Sequence, residues 1–190
     1  MAQDAENLVV ASGGSVWVAA VGTTAPVTPT GTPAAPWVEL GLISDEGASF
    51  QYGKTVEEFK AWQRRNAVKR TVTEEEITAT FSLQEWKKTN FTFAFGGGSI
   101  TNVSTGIYRY NFPTGNDNLD EKSLLLRWDD NGKSYQIHFE RGSVTDPVET
   151  SLSRTALAQL PISFKALSAV ESDSIGVSFL TDDPMFGLGS

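Results

Sequence analysis

No cysteine occurs among the 190 residues, and there is a single histidine, His138. Disulfides, thiol nucleophiles and thiolate zinc sites are thereby excluded. One histidine also leaves little from which to build a His-rich metal site or a Ser-His-Asp arrangement. No apolar run approaches the roughly 18 residues that a membrane span needs. The opening MAQDAENLVV has neither the basic nor the apolar region of a signal peptide. The expectation is a chain made and folded in a cytoplasm, with no membrane insertion. Positive charge is scarce: 15 Lys and Arg stand against 23 Asp and Glu, for a formal net charge of −8. Such a surface repels phosphate and argues against a tight, sequence-reading nucleic-acid binder. With 39% hydrophobic and 20% charged residues, the composition fits one globular domain with a sizeable core.

What is present is alternation. SVWVAAV (15–21) is strand-like, and EITATFSL (76–83), SYQIHFE (134–140), LPISFKAL (160–167) and SIGVSFL (174–180) place apolar side chains on every second residue. SLLLRWD (123–129) is a further, mostly apolar strand. Short alternating runs closed by turn residues describe a mainly β chain, an antiparallel β-sandwich or split barrel. Asn131-Gly132, between two of these runs, is a strong hairpin signal. Residues 22–36, GTTAPVTPTGTPAAP, hold four of the eight prolines and cannot be a central strand. They read as a long connector: a loose surface loop, or an arm that orders against another molecule.

SLQEWKKTNFTFAFGGG (82–98) can be read two ways. Phe91, Phe93 and Phe95 alternate as in a strand. Ser82 with Glu85 three residues on forms a capping-box helix start. Leu83, Trp86, Asn90 and Ala94 follow a helical stripe, flanked by Phe91 and Phe95. Gly96 begins a glycine run that suits a helix stop. The helix reading has a start, a face and an end, so one helix is expected at about 82–95. It would cover a sheet face or an open barrel end.

Catalytic signals are weak. FGGGS lacks the lysine of a phosphate loop and follows a helix rather than opening one. The carboxylates of TEEE (73–76) point alternately to opposite faces of a strand, which suits solvation better than a two-carboxylate hydrolase. DDNGK (129–133) resembles a calcium loop, but Arg127 and His138 stand where ligands are required. RRNAVKR (64–70) could contact phosphates, or pair with the glutamates at 57–58 or 74–76 within the chain or across an interface. Trp62, apolar and flanked by charge, suits an interface as well as a core.

The order of features is more specific than any one of them. WVELGLISDEGASF (37–50), AWQRRNAVKR (61–70), FSLQEW (81–86), FAFGG (93–97) and LPISFKALS (160–168) occur in an arrangement that resembles the major tail protein, or tail tube protein, of long-tailed (siphovirus-type) bacteriophages, particularly those of actinobacteria. The opening ENLVVASGGSVWVA (6–19) is similar to that family's start.

The resemblance implies a single tail-tube domain over 1–190, without the C-terminal immunoglobulin-like domain that many relatives carry. It implies a structural, non-enzymatic protein of the virion tail, assembled in host cytoplasm without a cofactor. Its partners would be itself, as homohexameric rings stacked into a tube, and the tail-tip, tape-measure and tail-terminator proteins. Double-stranded DNA would pass through without sequence-specific contact. The implied ring and subunit interfaces draw on Trp17; on Pro26, Pro29 and Pro33 of a 22–36 arm; on Trp62, Arg64 and Arg65; and on Met185, Phe186 and Leu188 of a C-terminal arm at 181–190. Helix packing falls to Leu83, Trp86, Phe91, Ala94 and Phe95, with Ser82, Glu85 and Gly96 as caps. The polar face Gln136, His138 and Glu140 is the candidate channel lining. Two other readings stand beside this one: a related tube of a contractile tail or secretion system, and a monomeric ligand-binding β-barrel.

Overall fold

The computed structural model describes residues 8–114 and 119–187. Ten strands and one α-helix are seen among them: β1 (Gly13–Ala20), β2 (Val38–Glu39), β3 (Ile43–Lys60), β4 (Ala67–Leu83), α1 (Lys88–Ala94), β5 (Ser99–Ser104), β6 (Ile107–Asn111), β7 (Lys122–Asp130), β8 (Lys133–Val144), β9 (Leu160–Ala166) and β10 (Val177–Thr181). A short 3-10 turn follows at Pro184–Phe186. The sheet runs in the order β2-β1-β7-β8-β9-β4-β3. β8 forks: one part pairs with β10, from Tyr135 to Phe139, and Gly142–Val144 pairs with β9. All pairings are antiparallel. β5 and β6 form a separate hairpin. No helix among the described residues is long and apolar enough to cross a membrane.

Alternation sets the core. Leu160, Ile162, Phe164 and Ala166 of β9 all point inward, with Ala79, Phe81 and Leu83 of β4 and Ile137 and Phe139 of β8. The β7–β8 turn is Asn131-Gly132 with both φ positive, at 48° and 80°, the conformation that matches strand twist in a two-residue hairpin. β7 departs from simple alternation because it is covered on both sides. Leu124 and Leu126 face the main core, while Leu125 joins Trp17, Ala19 and Trp37 in a second cluster on the opposite face.

The sheet curls until its far strands approach. β1 and β3 lie near one another, yet no ladder joins them, so the barrel stays split.

The helix is shorter than the sequence suggests. β4 runs on through Ser82, which pairs with Pro161, because Ala79-x-Phe81-x-Leu83 is buried in strand register. Ser82 is therefore not a cap. α1 is seven residues, and its N-cap, Lys87, makes no side-chain cap bond. Glu85 instead accepts the Leu42 backbone N–H at 2.9 Å and pairs with Lys87 at 3.1 Å. The helix is anchored by Asn90, wholly buried, whose Nδ2 donates to the Leu40 and Glu85 carbonyls at 2.8 Å each. It ends in a Schellman motif: Gly97 donates to Thr92 and Gly96 to Phe93, with Gly96 left-handed at φ 65°. Phe93 stacks on Phe164 and so ties the helix to the core.

Candidate assembly surfaces

Beyond Thr78, β4 has lost β9 as a neighbour and pairs only with β3. The two strands continue as a bare ribbon to the 61–66 turn, about ten residues or roughly 33 Å out. An isolated two-stranded ribbon is marginal in water. The register tells which side chains share a face. Phe50 lies opposite Ala79, Tyr52 opposite Ile77, Lys54 opposite Glu75 and Val56 opposite Val72. Ala79 faces the core. The core-lining face of the sheet thus runs on past the body as Phe50, Tyr52 and Ile77, is interrupted by the Lys54–Glu75 pair, and resumes beyond a register shift with Val56 and Val72. All of these apolar residues except Ile77 are about half exposed. An exposed apolar stripe of this kind marks an interaction surface.

Charges fix the ribbon's shape. Lys54 pairs with Glu75 at 2.8 Å, Arg70 with Glu58 at 2.8 Å and Lys165 with Glu76 at 2.8 Å. Glu75 is held below the usual carboxylate range, chiefly by its bond from Lys54, and Glu76 likewise by Lys165. Two of the three TEEE carboxylates, Glu75 and Glu76, are thus lateral ties of a strand. At the tip, Trp62 is 100% exposed. Lys60, Arg64, Arg65 and Lys69 surround it in sequence, and none of them has an ion pair among the described residues.

A second feature is the seam where β1 and β3 fail to pair. It opens as a groove of about 740 Å³. Val16, Leu42, Leu126 and Trp128 give it apolar walls, and Glu39, Asp45 and Glu85 line it too. Glu85 is held below its ordinary range, first by the Leu42 N–H and then by Lys87.

The 22–36 segment does not extend as an arm. It lies along the β7–β8 face and is held by side chains from it. Arg127, buried, donates to the carbonyls of Thr28 and Gly31 and to Gln136 Oε1. Gln136 Nε2 donates to Pro26 at 3.1 Å, and Trp37 Nε1 donates to Thr24 at 3.3 Å. Pro33 is buried, while Pro26 and Pro29 are half-buried. Burial lowers the Arg127 pKa, with Asp129 acting against that.

This packing corrects the expected channel lining. Gln136 is 1% and His138 7% exposed, so neither can face an open channel in this fold. His138 meets the Trp37 ring edge-on and hydrogen-bonds the Thr23 backbone, leaving Nε2 unpartnered. Burial pushes its pKa down. Glu140 is half-buried and accepts from Val170 N–H. Trp17, read as an interface residue, is 9% exposed in the second cluster, with its Nε1 on Ser15.

Elsewhere the expected residues are spread out. Met185 and Phe186 are exposed at 61% and 62%. Their turn is tied down by Asp183, which accepts Met185 N–H and Tyr135 O–H and pairs with Lys133. The Asp183 carboxyl is held low, first by the Met185 N–H, and burial pushes Tyr135 up to about 12. Leu188 lies outside the described residues. Trp86 precedes the helix and is 49% exposed, edge-on to Phe91. Phe91, Phe95, Tyr110 and Phe112 continue that aromatic patch toward the β5–β6 hairpin. Ala94 and Leu83 are buried. Sequence reading missed the Phe50–Tyr52–Val56 stripe, although its alternation is visible in SFQYGKTV, because exposure depends on where β9 ends. It also missed the Arg127 clamp, for which a lone arginine in an apolar strand was the available sign.

No cluster of titratable side chains among the described residues could hold a metal ion. Comparison with curated proteins finds no match. The model of a protein family described as phage tail tube protein matches residues 1–187. With that match over nearly its whole length, this chain belongs to the phage tail tube protein family.

Proposed function

We propose that the chain assembles as homohexameric rings, stacked into the tail tube of a long-tailed, siphovirus-type phage, and that the tube conducts genomic DNA toward the host. Membership of the tail tube family supports a structural, non-enzymatic protein of the virion tail. The observation that carries the assembly reading is the ribbon. A chain that directs Phe50, Tyr52, Val56 and Val72 into solvent has an interior face that only another molecule can finish. In a tube that molecule is a second copy.

The net charge of −8 fits a conduit. Duplex DNA carries one negative charge per about 1.7 Å of axis, so a wall of the same sign does not hold it. On this reading residues 1–190 form one tube domain, with tail-tip, tape-measure and tail-terminator proteins as end partners and the host cytoplasm as the place of assembly.

Negative-stain electron microscopy over a concentration series tests the proposal. Hollow tubes or six-fold rings are expected from the purified chain, alone or seeded with tail-tip proteins. Monomers under every one of these conditions would refute it.

A further inference from the structure

The ribbon tip and the seam groove are complementary in two respects. The tip offers a fully exposed tryptophan among Lys60, Arg64, Arg65 and Lys69, cations that make no ion pair among the described residues. The groove offers apolar walls, including Leu42 and Trp128, and a rim with Glu39 and Asp45. Neither of these acids makes an ion pair among the described residues. An indole that buries its ring while flanking guanidinium groups meet carboxylates is the usual make-up of an interface hot spot.

We infer that the 60–67 tip of one copy docks in the β1–β3 groove of another, with Trp62 seated on the apolar walls and Arg64 and Arg65 meeting Glu39 and Asp45. This rests on the tube reading and names a contact that holds the tube together.

The tip cannot reach its own groove. Ala48 and Phe50, at the ribbon's base, line the groove, and Trp62 stands about twelve residues farther out, past a ribbon paired as far as Lys60 apart from two register shifts, roughly 40 Å away. The occupant must therefore come from a second chain. Tip and groove are also different patches of one molecule. Such a contact is heterologous: each copy gives a tip and receives one, so contacts propagate instead of closing on a two-fold pair. That is the geometry a polymer needs.

The lack of cysteine makes the test direct. Gln63→Cys, beside Trp62 at the tip, and Ser12→Cys, in the groove, are introduced together so that the indole and the apolar walls are kept, and the concentrated protein is oxidised and run on non-reducing gels. A ladder of dimers and higher oligomers is expected. Arg64→Glu with Arg65→Glu in that background should lower the cross-linked fraction about tenfold or more. Adding Glu39→Lys with Asp45→Lys should restore it, which shows that the reversed chains still fold. A monomer band alone, or a ladder indifferent to charge reversal, overturns the docking. Wild-type tubes in the microscope without a ladder would overturn the docking and leave the tube reading standing. A charge-dependent ladder without tubes or rings would do the reverse.

Discussion

β7 and the outer half of the β3–β4 ribbon are both antiparallel strands rich in apolar residues, and they meet opposite fates. β7 is buried on both faces, by the core on one side and by the 22–37 segment on the other. The ribbon from Gln51 to Lys60 and from Ala67 to Glu76 is exposed on both. Leu124, Leu125 and Leu126 are buried among partners within the chain. Val56 and Val72 meet each other across the ribbon and Tyr52 meets the exposed Glu75 and Lys54, and all three stay about half exposed. One region holds the subunit together. On the proposed assembly, the other serves a neighbour.

Substitutions should separate the two regions. Phe164→Ala removes a wholly buried ring against Phe93 and Phe139, and should cost about 3–5 kcal/mol of subunit stability by denaturant unfolding. Arg127→Met strips the donors from the 28 and 31 carbonyls and from Gln136. It should cost about 1.5–3 kcal/mol and raise amide exchange in 22–37. A helix-anchored Trp86 would lose as much as Phe164; half exposed, with its ring edge-on to Phe91, Trp86→Ala should cost only about 1 kcal/mol. A loss of 3 kcal/mol or more there would mean that the helix end carries core weight.

Acid should act on the clamped face. His138 has its pKa lowered by burial, so the folded chain favours the neutral ring. Stability from that source is complete above the ordinary histidine value of about 6.5 and falls as pH drops through the lowered value. The wild type should lose thermal midpoint as pH drops below about 6.5 relative to His138→Gln. Parallel curves would remove His138 from the account. The smallest effect on the subunit is expected from Tyr52→Ser with Val56→Thr: within about 0.5 kcal/mol by unfolding, as for open surface positions. The same pair should abolish tubes in the microscope. A ribbon variant that unfolds the subunit would erase the contrast between the regions.

Much of the fold is legible in the residues. Inward alternation in β8 and β9 follows from Ile137, Phe139, Leu160, Ile162 and Phe164, and the Asn131-Gly132 turn follows from its own chemistry. The helix start was misplaced because Ser82 and Glu85 carry a local capping signal, while Phe81 and Leu83 carry a strand period that wins through burial against β9. The fate of 22–36 was not legible, since proline spacing says only that the segment is no strand. What pins it is Arg127, about a hundred residues away in sequence. Gln136 and His138 were assigned to an open face because alternation identifies the second face of β8 without saying what lies over it. Trp62, Arg64 and Arg65 do share one exposed place, and their sequence context is the reason: an indole among charges seldom belongs in a core.

The ribbon's pairing is interrupted by register shifts between Thr55 and Val56 and between Phe59 and Lys60. A bulge bends and twists a strand locally. Along its length the ribbon resists stretching through its ladder of hydrogen bonds; at these two breaks it yields sideways. A column of copies linked through such members would flex like a chain of leaf springs, with curvature taken up at the bulges while each barrel stays rigid.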